Sequence, residues 1–144
     1  MAVTYDKISF TLIEKGLKDH INDEFMNVYV APRFTMKGSE CIRIDLQGSD
    51  NLETSNAYEQ RTYNVIVRYY LKAKLTDERI NESIKAKIDK LKKHILDKQV
   101  NTTSWVELTI ESINYNIQDD ENEEDENLYI AEFELSLINH NPFA

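Results

Sequence analysis

The feature that most constrains this chain is one amphipathic helix with alternating strands on both sides of it. Ile80, Ile84, Ile88, Leu91 and Ile95 recur at steps of four, four, three and four. That repeat is one face of an α-helix. Thr76 is a natural N-cap, and Asp77 and Glu78 fall in the first turn, where the helix dipole favours acids. The predicted helix spans 77–98, with Lys85, Lys87, Lys90, Lys92 and Lys93 on its other faces.

Before this helix, residues 58–70 (YEQRTYNVIVRYY) put Tyr63, Val65, Val67 and Tyr69 on one face. The other face is only partly polar, which predicts partial cover there too. Residues 41–46 alternate in the same way, with Ile42, Ile44 and Leu46 inward. Residues 25–34 read as a further strand that Pro32 confines to an edge or an end. Residues 47–57 (QGSDNLETSNA) are polar and turn-rich and read as a long loop.

After the helix, Val106, Leu108 and Ile110 share one parity, and Ile113, Tyr115 and Ile117 the opposite one. This phase slip near Glu111–Ser112 predicts a β-bulge, or a strand that changes the face it buries. Residues 128–138 alternate cleanly and should form a hairpin with 104–117. Ahead of everything, Ile8, Leu12, Ile13, Leu17 and Ile21 mark an amphipathic helix over 5–21, weakened at Gly16.

The expected fold is therefore α+β, with order α-β-β-β-α-β-β. One mostly antiparallel sheet carries two helices packed on one face. Residues 1–144 read as a single domain, with a flexible tail at 139–144.

Composition narrows the function classes. Three Gly and two Pro in 144 residues leave little for a glycine-built phosphate loop. The single Cys41 forms no internal disulfide and reads as a small core residue of a reducing compartment. No apolar run approaches a membrane span, and the N-terminus lacks the pattern of a signal peptide. The two glycosylation sequons, at Asn81 and Asn101, carry no weight without one.

Net charge is −9, but it is concentrated. Residues 119–126 (DDENEEDE) hold seven acids: Asp119, Asp120, Glu121, Glu123, Glu124, Asp125 and Glu126. Without them 19 acids stand against 17 bases, so the body is nearly neutral. This argues against general duplex binding, which needs a basic surface.

The run also fails as an EF-hand loop. Counting from Asp119, Glu124 stands where glycine is required and Ile130 where the bidentate glutamate is required. Its plain reading is a solvated hairpin tip. Its electrostatic reading is an interface, with the lysine face of the helix (Lys85, Lys92, Lys93) as the complementary surface of a second copy. Such head-to-tail contacts close into rings.

Catalytic patterns are thin. His20, His94 and His140 are far apart, and no zinc, nucleophile-elbow or dinucleotide spacing occurs. No cofactor or metal is expected. Glu107, Glu111, Glu132 and Glu134, on the last two strands, are the carboxylates that an enzyme reading would use.

The whole pattern over 5–138 resembles a known family. The elements that carry the resemblance are the N-terminal amphipathic helix, the long polar segment before YEQRTYNVIVRYY, the middle helix TDERINESIKAKIDKLKKHI, and the Trp-led strand SWVELTIESINYNI hairpinned to LYIAEFELSLI. It is similar to the tail-terminator and tail-completion proteins of long-tailed bacteriophages.

The resemblance implies a non-enzymatic α+β subunit of a hexameric ring, part of the virion tail or neck and assembled in the host cytoplasm. Its implied partners are other copies of itself, the tail tube protein and a neck or connector protein. DNA would pass through the lumen without specific binding, and no membrane is involved. By the same analogy, 47–57 would reach a neighbour or the tube, and Phe143 in the tail NHNPFA would dock on another protein. The competing readings are a head-side connector (stopper) of the same virion and a monomeric acidic binding module.

Overall fold

The computed structural model describes residues 7–32, 38–73, 78–101, 104–118 and 127–143. It is α+β, with one five-stranded sheet and two helices. A π-helical segment, Ile8–Glu14, runs straight into α1 (Lys15–Asn22). The strands are β1 (Val28–Val30), β2 (Glu40–Thr54), β3 (Tyr58–Ala73), β4 (Glu107–Gln118) and β5 (Asn127–Pro142). Helix α2 (Glu78–Leu96) lies between β3 and β4 in the chain.

The strand order is β1-β2-β3-β5-β4. The sheet is mixed. β1 joins β2 in parallel, with Val28 opposite Ile42 and Val30 opposite Ile44, while the other three pairings are antiparallel. The expectation of a mostly antiparallel sheet is corrected at this edge. β1 is also much shorter than the strand predicted over 25–34. Asn27, at φ 58°, bends the chain into β1, and Pro32 lacks the N–H that would extend it.

One face of the sheet carries the core. Ile42 and Ile44 of β2, Tyr63, Val65, Val67 and Tyr69 of β3, and Ala131, Phe133, Leu135 and Leu137 of β5 are buried there. Ile84, Ile88, Leu91 and Ile95 cover them from α2, and Leu17 and Ile21 from α1. The five-residue step from Ile8 to Ile13 suits the wider i→i+5 ladder of the π segment, and the steps of four from Ile13 to Ile21 suit α1. The N-cap predicted at Thr76 lies outside the described residues, as does the side chain of Ile80.

The predicted phase slip in β4 is a bulge, with a register shift between Ile110 and Ser112. It returns Ile113 and Tyr115 to the core-side parity, opposite Phe133 and Ala131. The predicted loop 47–57 is instead strand as far as Thr54, so only 55–57 turn the chain. The predicted tail is likewise strand to Pro142, with Asn139, His140, Asn141 and Pro142 paired to Arg61, Gln60, Glu59 and Tyr58.

Gly16 has a packing reason to lack a side chain. A Cβ there would lie 3.2 Å from Trp105 Cζ3 and 3.3 Å from Ser104 Oγ. Trp105 is 1% exposed and cannot yield. Gly16→Ala should be near neutral, because a helix-propensity gain of up to about 1 kcal/mol offsets the tight contact. Gly16→Leu should cost about 2 kcal/mol by overpacking, measured by urea unfolding.

Candidate assembly surface

Beyond the body covered by the helices, the sheet continues as a three-stranded arm. It comprises residues 47–54 of β2, the start of β3 from Tyr58, and 139–142 of β5. The eight β2 residues span about 25 Å. All are exposed except Ser49, which is half-buried.

At its base Asn139 is buried and its Nδ2 donates to Ser104 C=O at 2.8 Å, and beyond that the arm is held by cross-strand polar contacts. Arg61 Nε donates to Ser49 Oγ at 2.8 Å, and Asn64 Nδ2 to Asp50 Oδ2 at 3.2 Å. The Tyr58 hydroxyl donates to Glu53 Oε1 at 2.7 Å, and its ring lies 4.8 Å from that of His140. Ser55 Oγ closes the turn by accepting from the N–H groups of Ala57 and Tyr58. The arm presents Leu52 (54% exposed) and Phe143 (49%) to solvent. Phe143 N–H donates to Ala57 C=O at 2.7 Å, which fixes the chain end against the tip.

The candidate interface residues are distributed as follows. Lys85, Lys92 and Lys93 are all exposed on α2. The acidic residues Asp119, Asp120, Glu121, Glu123, Glu124, Asp125 and Glu126 lie outside the described residues. Their anchor points are placed, however. Gln118 and Lys72 both pair with Leu128, and Ala73 with Asn127, at the end of the sheet opposite the arm.

Helix α2 starts at that same end, after β3, and runs back antiparallel to it. Its far end is fixed where Trp105 Nε1 donates to Lys98 C=O (2.8 Å) and Leu108 N–H to Gln99 C=O (2.8 Å). Lys92 and Lys93 therefore lie towards the arm end, and the acidic run is anchored at the other.

The sheet face away from the helices is mixed in character. Arg68 bridges three strands there, with Nε 3.1 Å from Glu132 Oε1 and Nη1 3.6 Å from Asp45 Oδ2. Ile66 and Ile130 flank it, half-buried. Arg68→Met should leave the two carboxylates without their cation and cost about 1–2 kcal/mol by thermal or urea unfolding.

Of the four carboxylates an enzyme reading would use, Glu132 is held by Arg68, and Glu107, Glu111 and Glu134 are exposed. Glu107 faces Ile138, and Glu134 faces Ser112 and Ile66, so these pairings join no two of the four. Cys41 is buried, and burial pushes its thiol above the ordinary range. No group of three or more His, Cys, Asp and Glu suited to a metal occurs among the described residues.

A cavity of about 340 Å³ opens between α2 and the start of β2, walled by Phe25, Met26, Glu40, Tyr69, Lys87 and Lys90. In it the Tyr69 hydroxyl donates to Glu40, and burial first, then that carboxylate, holds the phenol well above its usual value. Tyr69 is thus a fixed neutral donor that ties the start of β2 to β3.

Sequence reasoning missed one constellation outright. His20 and His94, 74 residues apart, stack with ring centroids 4.3 Å apart. The signal was present, since His20 sits beside Leu17 and Ile21, and His94 beside Leu91 and Ile95, each on an apolar stripe.

No helix among the described residues is long and apolar enough to cross a membrane. In comparisons with known proteins, no family model and no curated sequence matches this chain.

Proposed function

We propose that this chain is a structural virion protein, a subunit of a ring, of six copies by analogy, that ends a phage tail tube and forms the surface joining it to the head. The observation that carries this reading is the arm. About 25 Å of β2 is exposed at every residue but Ser49, and the three-stranded arm it belongs to presents Leu52 and Phe143. An arm of that kind is suited to lie on a neighbour.

The charge placement supports the same reading. Acids anchored at one end of the sheet, with Lys92 and Lys93 towards the other, give the subunit two complementary ends, and head-to-tail contact between them closes into rings or runs on as fibres. The partners proposed are further copies of this chain, the tail tube protein and a neck or connector protein. DNA would cross an acid-lined lumen without specific binding, because phosphate and carboxylate repel. A head-side connector of the same virion would share this surface logic.

The test is mass photometry across protein concentration and salt, with negative-stain images of large species and a capping assay on purified tail tubes. Closed rings, free or on tubes, are expected. A chain that stays monomeric at every concentration and caps no tube would sink the proposal in favour of a monomeric acidic binding module.

A further inference from the structure

The last carbonyls of a helix have no partner within it and must be met from outside. In this fold each of two histidines adds a donor to the other's helix end, beside the 3.3 Å bonds that the Asp23 and Asp97 N–H groups give the same two carbonyls. His20, in the last turn of α1, places Nε2 2.6 Å from the His94 carbonyl oxygen. His94, in the last turn of α2, places Nε2 2.7 Å from the His20 carbonyl oxygen. The two rings stack between these bonds, inclined by 24°. We infer that His20 and His94 form a proton-operated latch between α1 and α2, closed while His20 is neutral and released as His20 takes up a proton.

The protonation states follow from the acceptors. A carbonyl only accepts, so Nε2 carries the hydrogen on each ring, and Nδ1 is the bare nitrogen where the next proton must go. His20 is 3% exposed, and its Nδ1 is buried without a hydrogen-bond partner. A proton there would create a buried cation whose new N–H has nothing to donate to, stacked 4.3 Å from the ring of His94.

The charges around the pair do not rescue it. The His94 carbonyl that accepts from Nε2 favours the cation most, followed by Asp23 just past the end of α1, and the two helix ends act in the same direction. Lys98, past the end of α2, and His94 itself oppose it. Burial is the largest effect and holds His20 below the ordinary histidine value.

The sign is then fixed. Released, His20 titrates near 6.5; latched, it titrates lower. Closure is therefore at full strength above about pH 6.5 and weakens progressively as pH falls from there through the latched value.

What the latch restrains is the short path from α1 to the sheet edge. Phe25 packs between His94 and Tyr69, at centroid distances of 5.9 and 5.8 Å, with Lys90 Nζ 5.4 Å above its ring. Three residues on, β1 holds to β2 through only three residue pairs. Release frees this junction first and leaves the long β3–β5 ladder intact. The inference does not depend on the ring reading, because it concerns contacts within one subunit.

The test is a pH titration from 7.5 to 5 on the whole chain. Ring resonances of His20 and His94 and amide exchange would be followed together by NMR, with exchange rates corrected for their intrinsic pH dependence. The expected result is that His20 titrates below 6.5 and that protection at the Asp23, Glu24 and Phe25 amides falls along the same titration curve, while β3 and β5 hold. His20 titrating at its ordinary value, or α1 protection that stays constant through its titration, would overturn the inference.

The double variant His20→Gln, His94→Gln supplies a control, since a glutamine amide donates to a carbonyl but does not titrate. Its α1 protection should lose the pH dependence, and persistence of that dependence would also overturn the latch. The wild-type titration decides alone if the variant does not fold.

Discussion

Replacing Trp105 with Ala should lower stability by about 4 kcal/mol, near the upper end for a single core truncation. Trp105 is 1% exposed in the turn that leads into β4, and its position ties three elements together. Its ring edge lies where a side chain on α1 would otherwise be, against Gly16. Its Nε1–H satisfies the Lys98 carbonyl just past the end of α2, at 2.8 Å. Its own N–H donates to Asn101 C=O, also at 2.8 Å, and closes the turn.

Truncation would leave a cavity of indole size and a carbonyl with its acceptor unmet, and the two costs add. The rigid neighbours on both sides limit how far the cavity can collapse. Urea unfolding should show a lower midpoint with an unchanged m-value. Trp105→Phe, which loses mainly the N–H, should cost less than half as much. Val106→Ala, one residue on and 41% exposed, should stay within about 0.5 kcal/mol. Equal losses at 105 and 106 would show that the turn, not the indole, carries the stability.

The body of this fold was legible because its elements bury one face each. Val65, Val67 and their strand neighbours alternate against a polar parity, and Ile84, Ile88, Leu91 and Ile95 step at helical spacing, so burial writes the pattern into the residues. The β4 bulge was legible for the same reason, as an inserted residue shifts the buried parity.

The arm was not legible. Gln47 to Thr54 has almost no buried face, so nothing selects alternation, and its polar residues read as loop. The same absence hid the end of β5, where Asn141 and His140 pair with β3 beyond the core. β1 was read too long because Phe25 and Phe34 extend the apolar and aromatic texture around the three positions that pair with β2. The His20–His94 stack was hidden by sequence distance. Each histidine sits visibly on an apolar stripe, but only the packing of α1 against α2 brings the two together.

The surface was legible as composition and not as geometry. The acidic run and the lysines were evident in the sequence. What the fold adds is direction, because α2 runs antiparallel to β3 and carries Lys92 and Lys93 away from the end that anchors 119–126. Complementary ends meet either head to tail, which closes into rings, or antiparallel about a two-fold axis, which stops at a dimer, so the size of the assembly separates the two.

That polarity sets the second large effect. Reversing Lys85, Lys92 and Lys93 to Glu should leave the subunit folded and weaken self-association at least about a hundredfold. Facing like charges across an interface costs several kcal/mol, and each 1.4 kcal/mol is a factor of ten. All three side chains are exposed on α2, so the fold itself loses no buried contact.

On the ring proposal, mass photometry at low salt should then show subunits where the wild type is expected to form rings. The wild-type rings should themselves weaken as salt rises and screens the contact. If rings form only on tubes, the same comparison reads as loss of capping. Placing lysines at Asp119, Asp120, Glu123 and Glu124 in the reversed chain should restore assembly by exchanging the signs of both partners. Neutral effects of reversal, or reversal without rescue by the exchange, would assign the contact to the arm, with Leu52 and Phe143 the next residues to replace.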